Sequence, residues 1–318
     1  MKLTEKESLI KNIVFISGLT RSGKSLMCPI ISSFKNTEKV QMNHSLEPIP
    51  MLNYLGRIDD DTTKFLLQSG VNLAIYENSI GRNSNFRKDD LTSVWKYSNP
   101  LEYLHRLIEP DGDIALSKLK LQNRAFPMMV HNGLWHSNIW FDALPNLKII
   151  HMQRNPIEII FSWMKKGYDG DFYSSDRTMI VTFQHKENYL PYYAFGWEEK
   201  YLSLNKVDRI IHMVKHIRTC HQDAYNKLEN KYKERILFIR HEKITENPNK
   251  YVAKVSNLIG EDASKDTSSI LLEENCPRVF DQKEFQRKKM EIQKQSSKEA
   301  FNLLMGMHLQ FESEELAI

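Results

Sequence analysis

Residues 12–34, NIVFISGLTRSGKSLMCPIISSF, constrain this chain more than any other stretch. A β-branched apolar run, Ile13 to Ile16, ends in a polar loop, and the loop ends in Lys24-Ser25. Apolar residues then recur at Leu26, Met27, Ile30, Ile31 and Phe34, which is helical spacing. The loop at 18–25 fits G-x-x-x-x-G-K-[ST] at every fixed position. Such a loop wraps backbone N–H groups around a phosphate and aims a helix N-terminus at it. Lys24 adds a mobile charge and Ser25 a hydroxyl on the first helical turn. The same residues in another setting would be a plain strand-to-helix turn.

Composition narrows the partners. At 318 residues the chain can bury a full α/β core. Its hydrophobic fraction of 41% and charged fraction of 26% are those of an ordinary globular protein. A formal charge of +4 is too mild to call for nucleic acid, yet it suits a small anion held at a local basic site. The three cysteines, Cys28, Cys220 and Cys276, are widely spaced and form neither a disulfide framework nor a metal cluster. No apolar leader or membrane-spanning run stands out, so a reducing, cytoplasmic setting is the expectation.

Further along, 40–42 reads as a short second strand leading to His44 and Glu47. Polar groups after a strand in an α/β fold sit at the carboxyl edge of the sheet, where ligands bind. Residues 59–125 read as mostly helical, interrupted by the polar loop 78–90, for which acceptor binding or a solvated surface are the alternatives. PMMV at 127–130 is a buried strand that delivers His131 to the same edge, and a helix over 134–144 should follow. Lys148 to Met152 form another strand, with Arg154 just past its end, Asn155 as N-cap and Pro156 at the first helical position. Arg154 and Ser162 thus bracket a second junction at which a phosphate could sit. From 167 to 205 the aromatics cluster, among them Phe172, Tyr173, Tyr192, Tyr193 and Trp197; they either pack a lobe or line a pocket. His212 and His216 stand four apart on a long amphipathic helix and read as a solvated face. RILFIR at 235–240 is the last strand, followed by a helix that Gly260 closes. A basic cluster comes later, at Arg287, Lys288 and Lys289.

Three segments together resemble the P-loop sulfotransferase family: TRSGKSLM, LPNLKIIHMQRNPIEIIFSW and RILFIRHEKITENPNKYVAKVSNLIG. The family order is a P-S-G-T-T or R-S-G-T-T loop, then K-I-I-x-x-x-R-(N/D)-P…S, then R-Y-E-D-L…N-P…L-G. The resemblance implies an α/β fold, a mainly parallel central sheet flanked by helices, in one domain over 1–318. Segments 10–50 and 127–260 would form the nucleotide core, and 51–126 with 167–205 an acceptor lobe. It implies 3′-phosphoadenosine 5′-phosphosulfate as donor and no metal. Arg21, Ser22, Gly23, Lys24 and Ser25 would hold its 5′-phosphosulfate, with Arg154, Ser162 and the basic pair Arg287 and Lys288 on its 3′-phosphate. The base would be His131 or Glu47, and the acceptor a small-molecule, carbohydrate or lipid hydroxyl (or an amine).

This chain departs from the pattern at four places. Lys24 replaces the usual threonine, Arg21 a frequent lysine, and His241 a frequent tyrosine, while the glycine after Arg-Lys is missing. Lys24-Ser25 keeps open an ATP-Mg reading, a P-loop kinase or NTPase, whose metal-holding acid after an apolar strand would be Glu77. A nucleotide-binding module without catalysis is the third alternative.

Overall fold

The computed structural model describes residues 2–4, 7–97, 99–168 and 180–313. Four strands, β1 (Ile13–Ser17), β2 (Phe126–Met129), β3 (Lys148–Gln153) and the last, Ile236–Arg240, form a parallel sheet ordered β2, β1, β3, Ile236–Arg240. Between β3 and that last strand the chain makes an antiparallel hairpin, β4 (Thr182–His185) and β5 (Asn188–Pro191), which leaves the fourth sheet strand as β6. The chain passes from β1 to one neighbour and later returns on its other side, so strand order reverses at β1. That is where ligands settle in open α/β sheets.

Strand β1 is a continuous apolar run because both faces of the sheet are covered. Ile13 and Phe15 face a cluster with Phe126, Ile149, Phe238, Trp140 and the Asp60–Ser79 helix residues Leu67, Val71 and Ile75. Val14 and Ile16 face the opposite cluster, with Ile150, Met152, Ile239 and the helices that carry Met27, Ile30, Val255 and Ile259. A third cluster joins helices Pro156–Lys166 and Lys206–Lys227 to the C-terminal helices through Ile160, Ile211, Val214, Phe285 and Leu304. It braces the residue that follows β3.

Several expectations change here. The segment read as a second strand is an irregular edge beside β2, bridged at Thr37↔Ala125 and Gln41↔Met128. Residues 73–76, read as a strand, lie inside the helix Asp60–Ser79. Glu77 is therefore not at a strand end; it is on a helix, hydrogen-bonded by Asn83 at 2.6 Å. The short apolar run was misread because a buried helical turn and a strand look alike at that length. The basic cluster 287–289 lies within the helix Gln282–Gln295, whose Phe285 and Ile292 are buried. His216 is half-buried rather than solvated, with its ring 5.7 Å from Trp135 and 5.6 Å from Trp197. Phe172 and Tyr173 lie outside the described residues. Among the described residues no helix is long and apolar enough to cross a membrane.

Candidate active site

The loop after β1 is wound tightly. Gly18 (φ 141°) and Gly23 (φ 101°) both hold positive φ. A Cβ on Gly18 would run into the Met152 carbonyl, and one on Gly23 would meet the His241 ring at 2.5 Å. Only glycine allows β3 and the helix His241–Glu246 to press this closely on the loop. Arg21 also holds positive φ (71°), which costs a non-glycine residue about 1–2 kcal/mol. Cross-links hold it there: Arg21 Nε donates to Ser162 Oγ at 2.9 Å, and Trp163 Nε1 donates to the Thr20 carbonyl at 3.0 Å. Lys24 opens the helix Lys24–Ser32, and its buried ammonium donates to the Gly18 and Leu19 carbonyls, both at 2.8 Å. Burial pulls the Lys24 pKa down to about 8, against the opposing pull of Glu47.

Next to this loop the two competing base candidates meet. His131 follows β2, and Glu47 precedes the helix Pro48–Tyr54. Nδ1 of His131 lies 3.0 Å from both oxygens of Glu47, whose side chain is 10% exposed. With Nδ1–H given to the carboxylate, Nε2 is the basic nitrogen. Burial lowers the His131 pKa and Lys24 lowers it further, while Glu47 opposes both. A histidine neutral near pH 7 and oriented by a carboxylate is equipped to accept a proton. The pair lines a cavity of about 290 Å³ together with Leu19 and Thr20 of the loop, His44, and apolar and aromatic side chains. Residues 167–205 contribute Tyr168, Ile180, Tyr192 and Tyr193 to it. Among the described residues of 51–126 Met51 alone appears in the lining, and the loop 78–90 does not. Asn78, Tyr103, Arg106 and Arg124 of that segment converge instead on the buried Glu38, which receives Arg106 on both oxygens at 2.9 Å.

A larger cavity, about 980 Å³, lies beyond the loop near Arg154 and His241. Arg154 donates to Glu158 Oε2 at 2.8 Å and to the Arg21 carbonyl at 3.4 Å. Lys288 reaches the same Glu158, with Nζ 3.0 Å from both oxygens. A buried carboxylate thus holds two cations together that would otherwise repel. Arg287 is elsewhere: it pairs with Glu284 and Glu291 on the exposed face of the same helix and does not line the cavity. Ser162, expected with Arg154, carries the Arg21 side chain. Ser22 Oγ and Arg154 Nε are buried without a partner. Glu158 was not singled out from sequence, although its i,i+4 spacing from Arg154 is a helical ion-pair signal. His241, which stands in place of a frequent tyrosine, packs on Gly23 and lies 3.1 Å from Arg278.

Similar solved structures include the sulfotransferase domain of the Synechococcus PCC 7002 olefin synthase, with 14% identity, a TM-score of 0.47, and coverage of 99% of this chain and 98% of that one. A sulfotransferase from Alicyclobacillus acidocaldarius shows 14% identity and a TM-score of 0.41 over 98% of each chain. Sulfotransferase STF9 from Mycobacterium avium shows 11% identity and a TM-score of 0.46, covering 97% of this chain and 78% of that one. Comparison with curated proteins finds no significant match. The family model of the sulfotransferase domain matches residues 11–302, and the chain belongs to that family.

Proposed function

We infer that this sulfotransferase takes its sulfuryl group from 3′-phosphoadenosine 5′-phosphosulfate and passes it to a hydroxyl. The observation that carries the reading is the phosphate loop between two cavities: Leu19 and Thr20 border the one at His131, and Gly23 abuts His241 of the other. The residues present fit a bisphosphorylated nucleotide. Ser22 Oγ and Arg154 Nε are buried polar atoms without partners, and Arg154 and Lys288 form a second cationic seat at Glu158, beside the loop. An ATP-Mg reading loses its metal-holding acid, since Glu77 lies on a helix.

The bound nucleotide supplies an activated sulfuryl group, whose sulfur–oxygen bond to phosphate is exchanged for one to the acceptor oxygen. His131 takes the acceptor's proton at Nε2, and Glu47 fixes the ring and stabilises the imidazolium that forms. The two base candidates therefore act as one unit, histidine as base and glutamate as its positioning partner. Lys24 and Arg21 hold the negative charge that develops on the phosphate oxygen, each such contact being worth about 2.7–4 kcal/mol in oxyanion-type sites. Lys24 first leaves the Gly18 and Leu19 carbonyls that it now bonds. Arg154 and Lys288 hold the 3′-phosphate; Ser22, Gly23 and Ser25 line the 5′ end. The chain acts as one domain, with 167–205 as the main acceptor wall.

Isothermal titration in EDTA tests the donor. Adenosine 3′,5′-bisphosphate should bind without metal and at least tenfold more tightly than ADP. Equal affinities, or a strict Mg²⁺ requirement, would replace this reading with the kinase one.

A further inference from the structure

The residue after Arg154 is gripped from a part of the chain far away in sequence. Asn155 caps the helix Pro156–Lys166: its Oδ1 accepts from the Ile157 amide at 3.1 Å, and its own backbone N–H donates to Glu242 Oε1 at 2.9 Å. Its side-chain Nδ2 donates to His308 Nδ1 at 3.0 Å and to Glu312 Oε1 at 2.9 Å. A side-chain amide has two N–H donors, so both are spent, and one orientation of the amide satisfies every partner. The same network assigns the His308 tautomer: Nδ1 accepts, so the ring proton sits on Nε2. Burial lowers the His308 pKa, with Glu312 opposing, which keeps the ring neutral at pH 7. His308 and Glu312 stand one turn apart on the helix Lys298–Ser313. Ala300, Leu304 and Met307 bury that helix against the cluster of Ile160 and Ile211. Arg154, Asn155, His308 and Glu312 all line the cavity of about 980 Å³.

We propose that His308, assisted by Glu312, is a positioning residue for the donor's 3′-phosphate, holding the Asn155 amide and, through it, the direction in which Arg154 leaves β3. The phosphate role rests on the donor reading above; the grip on Asn155 stands without it. The peptide between Arg154 and Asn155 is fixed at its nitrogen by Glu242. Asn155 Oδ1 stays on the Ile157 amide because Nδ2 has its two acceptors on the C-terminal helix. Without them the amide turns toward water and the cap loosens. The first helical turn, which carries Glu158, then frays. Arg154 would lose both its fixed backbone and the carboxylate that aims its guanidinium.

The experiment has an arm without ligand and an arm with it, both on the full chain. In the first, nitrogen NMR of the imidazoles should show His308 neutral at pH 7 and protonated on Nε2. Hydrogen exchange at the Ile157 amide should quicken in His308→Leu but not in His308→Gln, which keeps an acceptor. In the second arm, His308→Leu should weaken adenosine 3′,5′-bisphosphate by about three- to tenfold, the worth of one net hydrogen bond, and leave adenosine 5′-monophosphate within about twofold. His308→Gln should restore the bisphosphate affinity. In an Arg154→Ala background, His308→Leu should cost nothing further, because the two residues act in series. Glu312→Leu repeats the comparison at a side chain that is 58% exposed, where packing is not disturbed. A His308 protonated on Nδ1, unchanged Ile157 exchange, equal losses for the two nucleotides, or losses that add to that of Arg154→Ala each overturn the proposal. An unaltered chain that binds no bisphosphate strikes the donor reading and the phosphate role with it, while the arm without ligand still decides the grip on Asn155.

Discussion

The cavity at Arg154 and the cavity at His131 share one loop and differ in how they handle charge. The first is lined by six lysines and arginines and by six carboxylates, with Arg154 and Lys288 clamped on the buried Glu158. The second places one histidine–carboxylate pair at the end of an aromatic and aliphatic wall. Holding cations close together in a partly buried site requires carboxylates, which then compete with any anion that arrives. Placing a single base requires one partner and a shape. Under the proposed function, affinity in the first cavity depends on a few cations released from their acids, and rate in the second on one oriented nitrogen.

The largest expected effect tests that division directly. His131→Ala should lower turnover by about 10²–10⁴-fold, the usual worth of a positioned base, with bisphosphate affinity unchanged. Glu47→Gln should cost less, and should move the acidic limb of the pH–rate profile, because the carboxylate opposes the lowering of the His131 pKa. If Glu47→Ala abolishes turnover while His131→Ala spares it, the roles are reversed. Lys24→Ala comes next, with a loss in turnover of about 10²–10³-fold and a smaller change in donor affinity. Arg21 shares the loop, so the double variant with Arg21→Ala separates the two. Unchanged turnover in both single variants and in the double would remove the loop side chains from the chemistry.

How much of this could be read before the structure depends on locality. The loop at 18–25, the N-cap Asn155 with Pro156, and the closing Gly260 (φ 81°) are local signals, and each element formed where its residues indicated. The pairing of His131 with Glu47 spans 84 positions, and no local pattern encodes it. What sequence could offer was two candidates reaching one sheet edge from different strands. Lys288 and Arg287 are adjacent in sequence, yet the helix turns one toward Glu158 and the other toward solvent, which a bare basic cluster in the sequence does not separate. The misplacement of Glu77 came from an apolar run too short to distinguish strand from helix.

Behind the loop, buried histidines couple the site to pH. His151 and His221 line a small cavity with Ser22 and Arg154, and His136 is buried beside Trp135. Burial pulls His136 and His151 down to about 3 and His221 well below its ordinary value. The unfolded chain binds these protons near pH 6.5 and the folded one does not, so stability is full above that pH and falls as the solution is acidified toward pH 3. At pH 5 His136 and His151 should each cost about 2 kcal/mol of stability relative to pH 7, and His221 acts in the same direction. Denaturant melts at the two pH values measure it, and a flat profile would mean these rings are solvated in the folded protein.

Arg154→Ala should weaken bisphosphate binding by about 1.5–3 kcal/mol, the range for hydrogen bonds to charged groups. Its partner Glu158 is buried and still paired to Lys288, so the melting temperature without ligand should change little. A large fall in that temperature would make Arg154 a structural ion pair instead.

The smallest effect is the sharpest comparison within one helix. Arg287 and Lys288 are neighbours, but the Arg287 side chain is 50% exposed and its pairs with Glu284 and Glu291 lie on the surface. Exposed pairs of this kind contribute little, so Arg287→Ala should leave bisphosphate affinity nearly unchanged. Lys288 is 19% exposed and shares Glu158 with Arg154, so Lys288→Ala should cost clearly more. Titrating both variants with adenosine 3′,5′-bisphosphate and with adenosine 5′-monophosphate isolates the 3′-phosphate. The Lys288→Ala loss should appear only with the bisphosphate. Equal losses for the two variants, or a larger one for Arg287→Ala, would mean that the helix turns a different face to the nucleotide, and that Glu158 does not mark the 3′ seat.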